Sequence, residues 1–304
     1  MSDRTRPDET RGIAYAAIAY VLWGAVPLYW RLFGGVSPFE VIVHRIVWCA
    51  LFVMAITVSR GRISHVAAIF RTPRLLATLA LTSVLITCNW SVYIYSVATR
   101  QLVEASLGYY ITPLISIGLG VVLFGEHLSR LRLLAVCLAG VAVAVKAASL
   151  GHIPLIASVL ALSFGFYGYF RKQAPVDALD GLLVETGILL PAAAGLLVYW
   201  YVIGDGSFPS GSIGHDSLLM ASGPVTAIPL ALFAAGARRI RLSTLGFLQY
   251  LAPSLTLLLA VFGFGERFTR LDVVSFGCVW GALVLVSLDG RLSRFSARAP
   301  TTGA

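Results

Sequence analysis

The sequence predicts an all-α integral membrane protein: ten transmembrane helices in two inverted five-helix repeats. Three observations predict it. Only 12% of the 304 residues are charged and 58% are hydrophobic, with a mean hydropathy of +0.85, whereas a soluble domain carries about 25% charged residues. Ten segments are apolar over a length that matches a hydrocarbon core of about 30 Å, which takes roughly 20 helical residues. Finally, residues 107–131, LGYYITPLISIGLGVVLFGEHLSRL, return in degenerate form as residues 245–271, LGFLQYLAPSLTLLLAVFGFGERFTRL.

The spans run, in order, over 12–33, 39–58, 75–98, 102–124, 131–148, 153–170, 180–203, 217–237, 242–264 and 271–288. The first follows the polar start MSDRTRPDETRG; it is too long for a signal-peptide core and lacks a small-residue cleavage site, so it is read as retained. Ser37-Pro38 opens the second span and Thr72-Pro73 the third. The fourth and ninth contain the repeated stretch and end on its Phe-Gly-Glu corner. Pro154 and Pro175 bracket the sixth, and the Gly/Ser/Pro-rich stretch 204–216 separates the seventh from the eighth. No loop is long enough for a soluble domain.

The repeat sets the architecture. Tyr110 recurs as Tyr250, Pro113 as Pro253, Phe124-Gly125-Glu126 as Phe264-Gly265-Glu266, and Arg130-Leu131 as Arg270-Leu271, always 140 residues later. Basic residues cluster after alternate spans: Arg4, Arg6 and Arg11; Arg60 to Arg74; Arg130 and Arg132; Arg171 and Lys172; Arg238 to Arg241; Arg291 to Arg298. The other side holds only Arg31, Arg100, Lys146, Arg267 and Arg270. The positive-inside rule then puts both termini in the cytoplasm. It also explains the net charge of +9 without nucleic acid. Five spans per copy is an odd number, so the second copy is inverted. The predicted organisation is a cytoplasmic tail 1–11, a first repeat 12–148, a second repeat 152–288 and a cytoplasmic tail 289–304. Inverted repeats place a solute site near the midplane and allow alternate exposure to the two sides.

Extending the 140-residue offset pairs Tyr29 with Tyr169, Arg31 with Arg171, Glu40 with Asp180, and Arg45 with Glu185. Arg45 and Glu185 each lie about two turns inside a span, entered from opposite faces. An ionisable group there costs at least ~2.5 kcal/mol and normally faces the bundle or a wet cavity. Two readings stand for them. In one, Arg45 attracts an anion and Glu185 couples a proton or cation; in the other, they snorkel or tie helices together. His44 is read as a packing or interface residue.

Pro113 and Pro253 each remove a backbone donor inside a span and predict kinks. Tyr110 and Tyr250 lie one turn before them; Asn89, Trp90 and Tyr93 share the third span. These, with Gln249, are the candidate cavity or gate residues, interfacial anchoring being the rival for the aromatic ones. Trp30 and Trp200 are read as belt residues. Glu104 is read as a helix cap or a partner of Arg100. Glu126 and Glu266, each four residues before an arginine, are read as structural corners holding ion pairs. Cys49, Cys88, Cys137 and Cys278 fall in apolar runs and imply neither disulfide nor zinc. No phosphate loop, zinc-protease or nucleophile-elbow motif is present, so no cofactor is expected.

The segments HRIVW (44–48), CNWSVYIYSV (88–97), LVEASLGYYITPL (102–114), LSFGFYGYFRK (162–172), STLGFLQYLAPSL (243–255) and FGERFT (264–269) resemble the RarD-type permeases. These form a branch of the EamA family in the drug/metabolite transporter superfamily. Tyr95 stands where that branch has tryptophan. The resemblance implies a ten-helix inner-membrane permease of two EamA repeats, and the family's link to chloramphenicol sensitivity implies drug passage. The expected function is secondary active transport of a small organic solute, with a coupling proton or ion as the second partner and the lipid bilayer as surroundings. Two readings from other classes are a membrane-embedded enzyme acting on a lipid-linked substrate and a non-transporting receptor.

Overall fold

A computed structural model of the chain describes residues 5–33, 35–99, 101–148, 154–263 and 270–296. The described residues form helices joined by short connections: α1 (Thr5–Trp30), α2 (Pro38–Ser59), α3 (Ile63–Phe70), α4 (Pro73–Ala98), α5 (Leu102–Phe124), α6 (Arg130–Ala148), α7 (Leu155–Gln173), α8 (Ala178–Ile203), α9 (Ile213–Ala237), α10 (Leu242–Gln249), α11 (Leu251–Leu258) and α12 (Arg270–Ser296). A π-helical turn, Leu259–Gly263, follows α11.

Eight of these helical stretches are long and apolar enough to cross a membrane: Asp8–Trp30, Pro38–Ser59, Pro73–Tyr93, Glu104–Phe124, Arg130–Ala148, Ala178–Ile203, Ile213–Ala237 and Leu242–Gly263. Two expected spans fall short of that standard. Helix α7 ends in Arg171 and Lys172, and α12 has only a shorter apolar stretch, Val273–Asp289. Helix α1 begins inside the expected tail, and α12 continues beyond 288.

Local chemistry explains the ends. Pro38 opens α2 at a position where its missing N–H is not needed, with Glu40 in the first turn. Asp177 caps α8 by accepting from the Leu179 N–H at 3.1 Å. Gly125 ends α5 with φ of +61°, a left-handed conformation that costs glycine nothing.

Three features differ from the sequence reading. The connection after α2 contains the short helix α3, which buries Val66 and Ile69 and exposes Ile63 and Phe70. The expected continuous span 242–264 is broken at Tyr250. Pro253 has no N–H to bond the Gln249 carbonyl one turn earlier, and the Tyr250 N–H bonds Phe247 O instead, at 3.3 Å. The matching Pro113 does not break α5, so two prolines that read alike in sequence differ in effect.

Helix α2 packs against α8 and α9, and α1 against α9, α10 and α11. Helix α4 packs against α7 and α8, and α5 against α7 and α10. Helices α6 and α12 pack on one another. Small residues set the closest crossings. A Cβ on Gly223 of α9 would stand 2.5 Å from the Trp48 backbone of α2, so the two helices approach main chain to main chain.

The start of α8 bonds the residues after α2, and the start of α2 bonds those after α8, so these two helices are antiparallel and the bundle has two ends. One carries the basic clusters and the start of α1; it is called the basic end below, and the other the far end.

Candidate functional site

Two polar centres lie within the bundle, one towards each end. Arg45 stands seven residues into α2 from the far end, and Glu185 seven residues into α8 from the basic end, a depth of about 10 Å each at 1.5 Å per residue. Helices α2 and α8 are packed neighbours running in opposite directions. The two side chains therefore do not meet, and each has a different set of partners.

Glu185 is 2% exposed. Its Oε1 accepts from Thr82 Oγ1 of α4 at 2.6 Å and its Oε2 from Tyr167 OH of α7 at 3.4 Å. Arg171, also on α7, makes an ion contact from Nε to Oε1 at 3.5 Å. Ser83 donates to the Glu185 backbone carbonyl at 3.0 Å. Tyr167 and Arg171 are one turn apart on α7 and so share a face. The arginine is 1% exposed and donates from Nη2 to Ala178 O at 3.1 Å. It fits because residue 181 is glycine: a Cβ there would stand 2.2 Å from Arg171 Nη1. A buried charge pair of this kind loses several kcal/mol of hydration per ion, which mutual attraction and added hydrogen bonds must offset.

Arg45 has no carboxylate beside it; among the described residues no Asp or Glu forms an ion pair with it. Its Nε donates to Thr226 Oγ1 of α9 at 3.0 Å. The guanidinium carbon sits 4.7 Å from the Trp90 ring centre and 5.0 Å from that of Trp30, an attraction worth about 2 kcal/mol when desolvated. Tyr29 precedes Trp30 and donates to Leu218 O at 2.5 Å. Tyr93 and Tyr109, with ring centres 6.3 Å apart, join α4 to α5 and both keep exposed surface.

The remaining candidate residues divide between these centres and structural roles. Trp90 and Tyr93 belong with Arg45. Asn89 donates to Leu160 O at 2.9 Å and Ser163 Oγ at 3.0 Å, tying α4 to α7. Tyr250 is fully buried and donates to the Tyr110 backbone carbonyl at 3.2 Å. Tyr110 packs edge-on to Phe276, and Gln249 Oε1 accepts from Ser116 Oγ at 3.2 Å. Pro113 and Pro253 lie in α5 and α11.

Glu126 does not form the expected bond with Arg130. The helix ends before it, so the two are not one turn apart on a helix. Its carboxylate instead caps α10, accepting from Leu242 N at 2.6 Å, Ser243 N at 2.9 Å and Ser243 Oγ at 2.5 Å. Glu266 lies outside the described residues. Glu104 caps the start of α7, accepting from Ile156 N at 2.7 Å. His44 is buried against Phe208 and accepts from Trp48 Nε1 at 3.1 Å, as a packing residue does.

The first turns of α2 and α8 match. Glu40 accepts from Ser207 N at 2.6 Å and Ser207 Oγ at 2.9 Å, in the loop after α8. Asp180 accepts from Arg62 at 2.6 and 3.2 Å, in the loop after α2. Each helix start is thus held by the loop that follows the other helix. Further bonds close the basic end: Lys172 donates to Ala237 O and Ile240 O, and Arg238 to Val176 O.

Sequence reasoning missed Arg171, Tyr167, Thr82, Trp30 and Thr226. Arg171 reads as a loop cation because it follows a span, and Trp30 reads as a belt residue. The one available signal was the helical spacing of Tyr167 and Arg171. Two surface hollows lie elsewhere, one along α12 at Leu283, Val284, Ser287 and Leu288, and one at the basic end between Thr72 and Pro175. The candidate site is defined here by its polar chemistry.

The sequence pattern of the EamA-like transporter family matches residues 10–146. The chain is 40% identical over 292 residues to an uncharacterized transporter of Vibrio cholerae, covering 96% of each chain. It is 40% identical over 282 residues to the protein RarD of Escherichia coli K12, covering 92% of this chain and 94% of that one. A solved structure described only as a protein crystal structure superposes with a TM-score of 0.67 over 92% of this chain and 98% of that one, at 19% identity, which speaks to fold alone. With identity at this level along nearly its whole length, the chain belongs to the EamA-like transporter family, in the branch of the RarD proteins.

Proposed function

We propose that the protein is a secondary active transporter that moves a small organic solute across the bacterial cytoplasmic membrane by alternating access. In this reading α1, α2, α4, α5 and α6 form one five-span repeat and α7, α8, α9, the broken α10–α11 helix and α12 form its inverted copy, with both termini in the cytoplasm. Arg45, Trp90 and Tyr93 contact the solute from the far end. Glu185 responds to the coupling proton or ion from the basic end. Tyr110, Gln249 and Tyr250 form the hinge between the halves, and Asn89 holds the α4–α7 contact.

The observation that carries the reading is the placement of Arg45 and Glu185 at equal depths from opposite ends of adjacent antiparallel helices. The pattern of helix contacts supports it, because exchanging the two halves maps major packed pairs onto packed pairs: α1 on α9 becomes α7 on α4, and α2 on α9 becomes α8 on α4. Such near-equivalence gives two conformations of similar free energy, which alternating access requires.

The test is reconstitution of the purified chain in liposomes, with radiolabelled amino acids, nucleosides, sugars, organic acids and chloramphenicol supplied with and without a pH gradient. Protein-dependent accumulation that collapses with the gradient is the expected result. Absence of flux for the whole panel counts against transport. Full flux by correctly inserted Arg45→Ala and Glu185→Gln removes those residues from the mechanism.

A further inference from the structure

The partners of Arg45 specify a ligand more closely than "small organic solute". A guanidinium carries five N–H donors and a charge that does not titrate in proteins. Here Nε bonds Thr226 Oγ1, the guanidinium carbon lies over the Trp30 and Trp90 rings, and the residue is mostly but not completely buried. Its Nη edge is the fork that pairs side by side with a carboxylate, and no acceptor among the described residues occupies it. The carboxylates around it are committed elsewhere. Glu40 is held by Ser207, Asp216 accepts from Ser210 N and Oγ at 2.8 and 2.7 Å, and Glu185 belongs to Thr82, Tyr167 and Arg171. The charge of Arg45 thus stands ready for an anion from outside the protein.

The surroundings decide which anion. Among the described residues no second Lys or Arg acts on the group, and Arg31, the nearest in sequence, is exposed beyond the end of α1. One fixed positive charge in an apolar setting balances one negative charge, so a monoanion fits and a dianionic phosphate leaves charge uncompensated. The walls are aromatic: Trp30 and Trp90 lie at the guanidinium, Tyr29 beside Trp30, and Tyr93, about one turn beyond Trp90 on α4, beside Tyr109. Such walls favour a ligand whose body is apolar or aromatic.

We propose that Arg45 is a carboxylate anchor and that the solute is a monoanionic organic acid with an apolar or aromatic body. This rests on the transport reading above and deepens it by naming the substrate class.

The test uses the full chain in lipid nanodiscs and isothermal titration calorimetry with hexanoate, 3-phenylpropanoate, 3-phenylpropanamide and phenyl phosphate. The expected result is binding of 3-phenylpropanoate about tenfold or more tighter than its neutral amide, with phenyl phosphate weaker than the carboxylate. Arg45→Gln should erase the difference between acid and amide. Arg45→Lys, which keeps the charge and loses the fork, should keep a reduced one. Equal binding of acid and amide by the native chain, or no binding of either acid, overturns the proposal without any variant having to fold. Persistence of the acid preference in Arg45→Gln overturns it too, and tighter phenyl phosphate overturns the monocarboxylate assignment. Liposome flux of the same compounds separates the two readings. Acid binding without flux supports the anchor and counts against transport; flux of neutral solutes without acid binding does the reverse.

Discussion

The hydroxyl of Tyr250 donates to the backbone carbonyl of Tyr110 at 3.2 Å, joining two residues that hold the same place in the two copies of the repeated stretch. Equivalent positions of two copies touch only close to the axis that relates them. In the proposed inverted-repeat reading the halves meet here, at the crossing of α5 with the broken α10–α11 helix, where Gln249 also bonds Ser116. Two proline-bearing helices meet there, one continuous and one broken.

Removing that bond should cost little and be readable. Tyr250→Phe keeps the ring and loses one buried hydroxyl, so a loss of about 1 kcal/mol in unfolding free energy is expected. Denaturation in detergent measures it. A change indistinguishable from zero would mean that the bond does not hold the halves together.

Arg171 and Glu185 should be strongly coupled. Replacing one partner leaves the other buried and unpaired, so Glu185→Leu and Arg171→Met should each destabilise the protein by about 3–5 kcal/mol. The double variant should recover most of that loss, because no uncompensated charge remains. A double-mutant cycle checks it; additive losses would contradict the pairing.

Gly181→Ala should behave like a weakened Arg171 variant. The added methyl carbon would stand 2.2 Å from Nη1, and the guanidinium has to leave its place beside Glu185. Loss of about 1–3 kcal/mol is expected from overpacking. In an Arg171→Met background the same substitution should cost less, and an equal cost in both would argue that the glycine serves something else.

The cap from Glu126 to α10 predicts a third coupling. Glu126→Ala removes the acceptor for two N–H groups and one hydroxyl, and a loss of about 1–2 kcal/mol follows from the usual cost of a cap. Ser243→Ala alone should cost less, since the two backbone donors keep their acceptor. Exchange of the Leu242 and Ser243 amide hydrogens, followed by mass spectrometry, should speed up in Glu126→Ala; unchanged exchange would rule out the cap.

By contrast, the pair Arg239 and Asp8 is surface chemistry. Their contact of 3.0 Å is largely open to solvent, so Arg239→Ala should change stability by about 1 kcal/mol or less, and salt should reduce even that. A larger effect in a thermal unfolding series would show that Arg239 acts through its contact with Tyr15 as well.

Much of the helix layout was legible because span length and breakers are local properties. Ser37-Pro38, Thr72-Pro73 and Pro154 each adjoin a helix start. The depth of Arg45 and Glu185 was legible too, since position along a helix is a count of residues. The partners were not. Glu126 and Arg130 have the spacing of a helical ion pair, but that spacing carries meaning only if a helix continues between them, and it does not. Pro113 and Pro253 look alike in sequence, yet only one breaks its helix.

Composition, hydrophobic run length and the 140-residue recurrence determined, without coordinates, that the chain is a helical membrane protein with a repeated stretch and two ionisable residues at matched depth. Each of these depends on the chain's own order and on the cost of placing polar groups in lipid. Tertiary structure alone decided that Glu185 faces Arg171 and Arg45 faces Trp30, Trp90 and Thr226. Which side chains meet depends on the rotation and crossing of helices far apart in sequence, here set by close contacts such as Gly223 on Trp48 and Gly181 under Arg171.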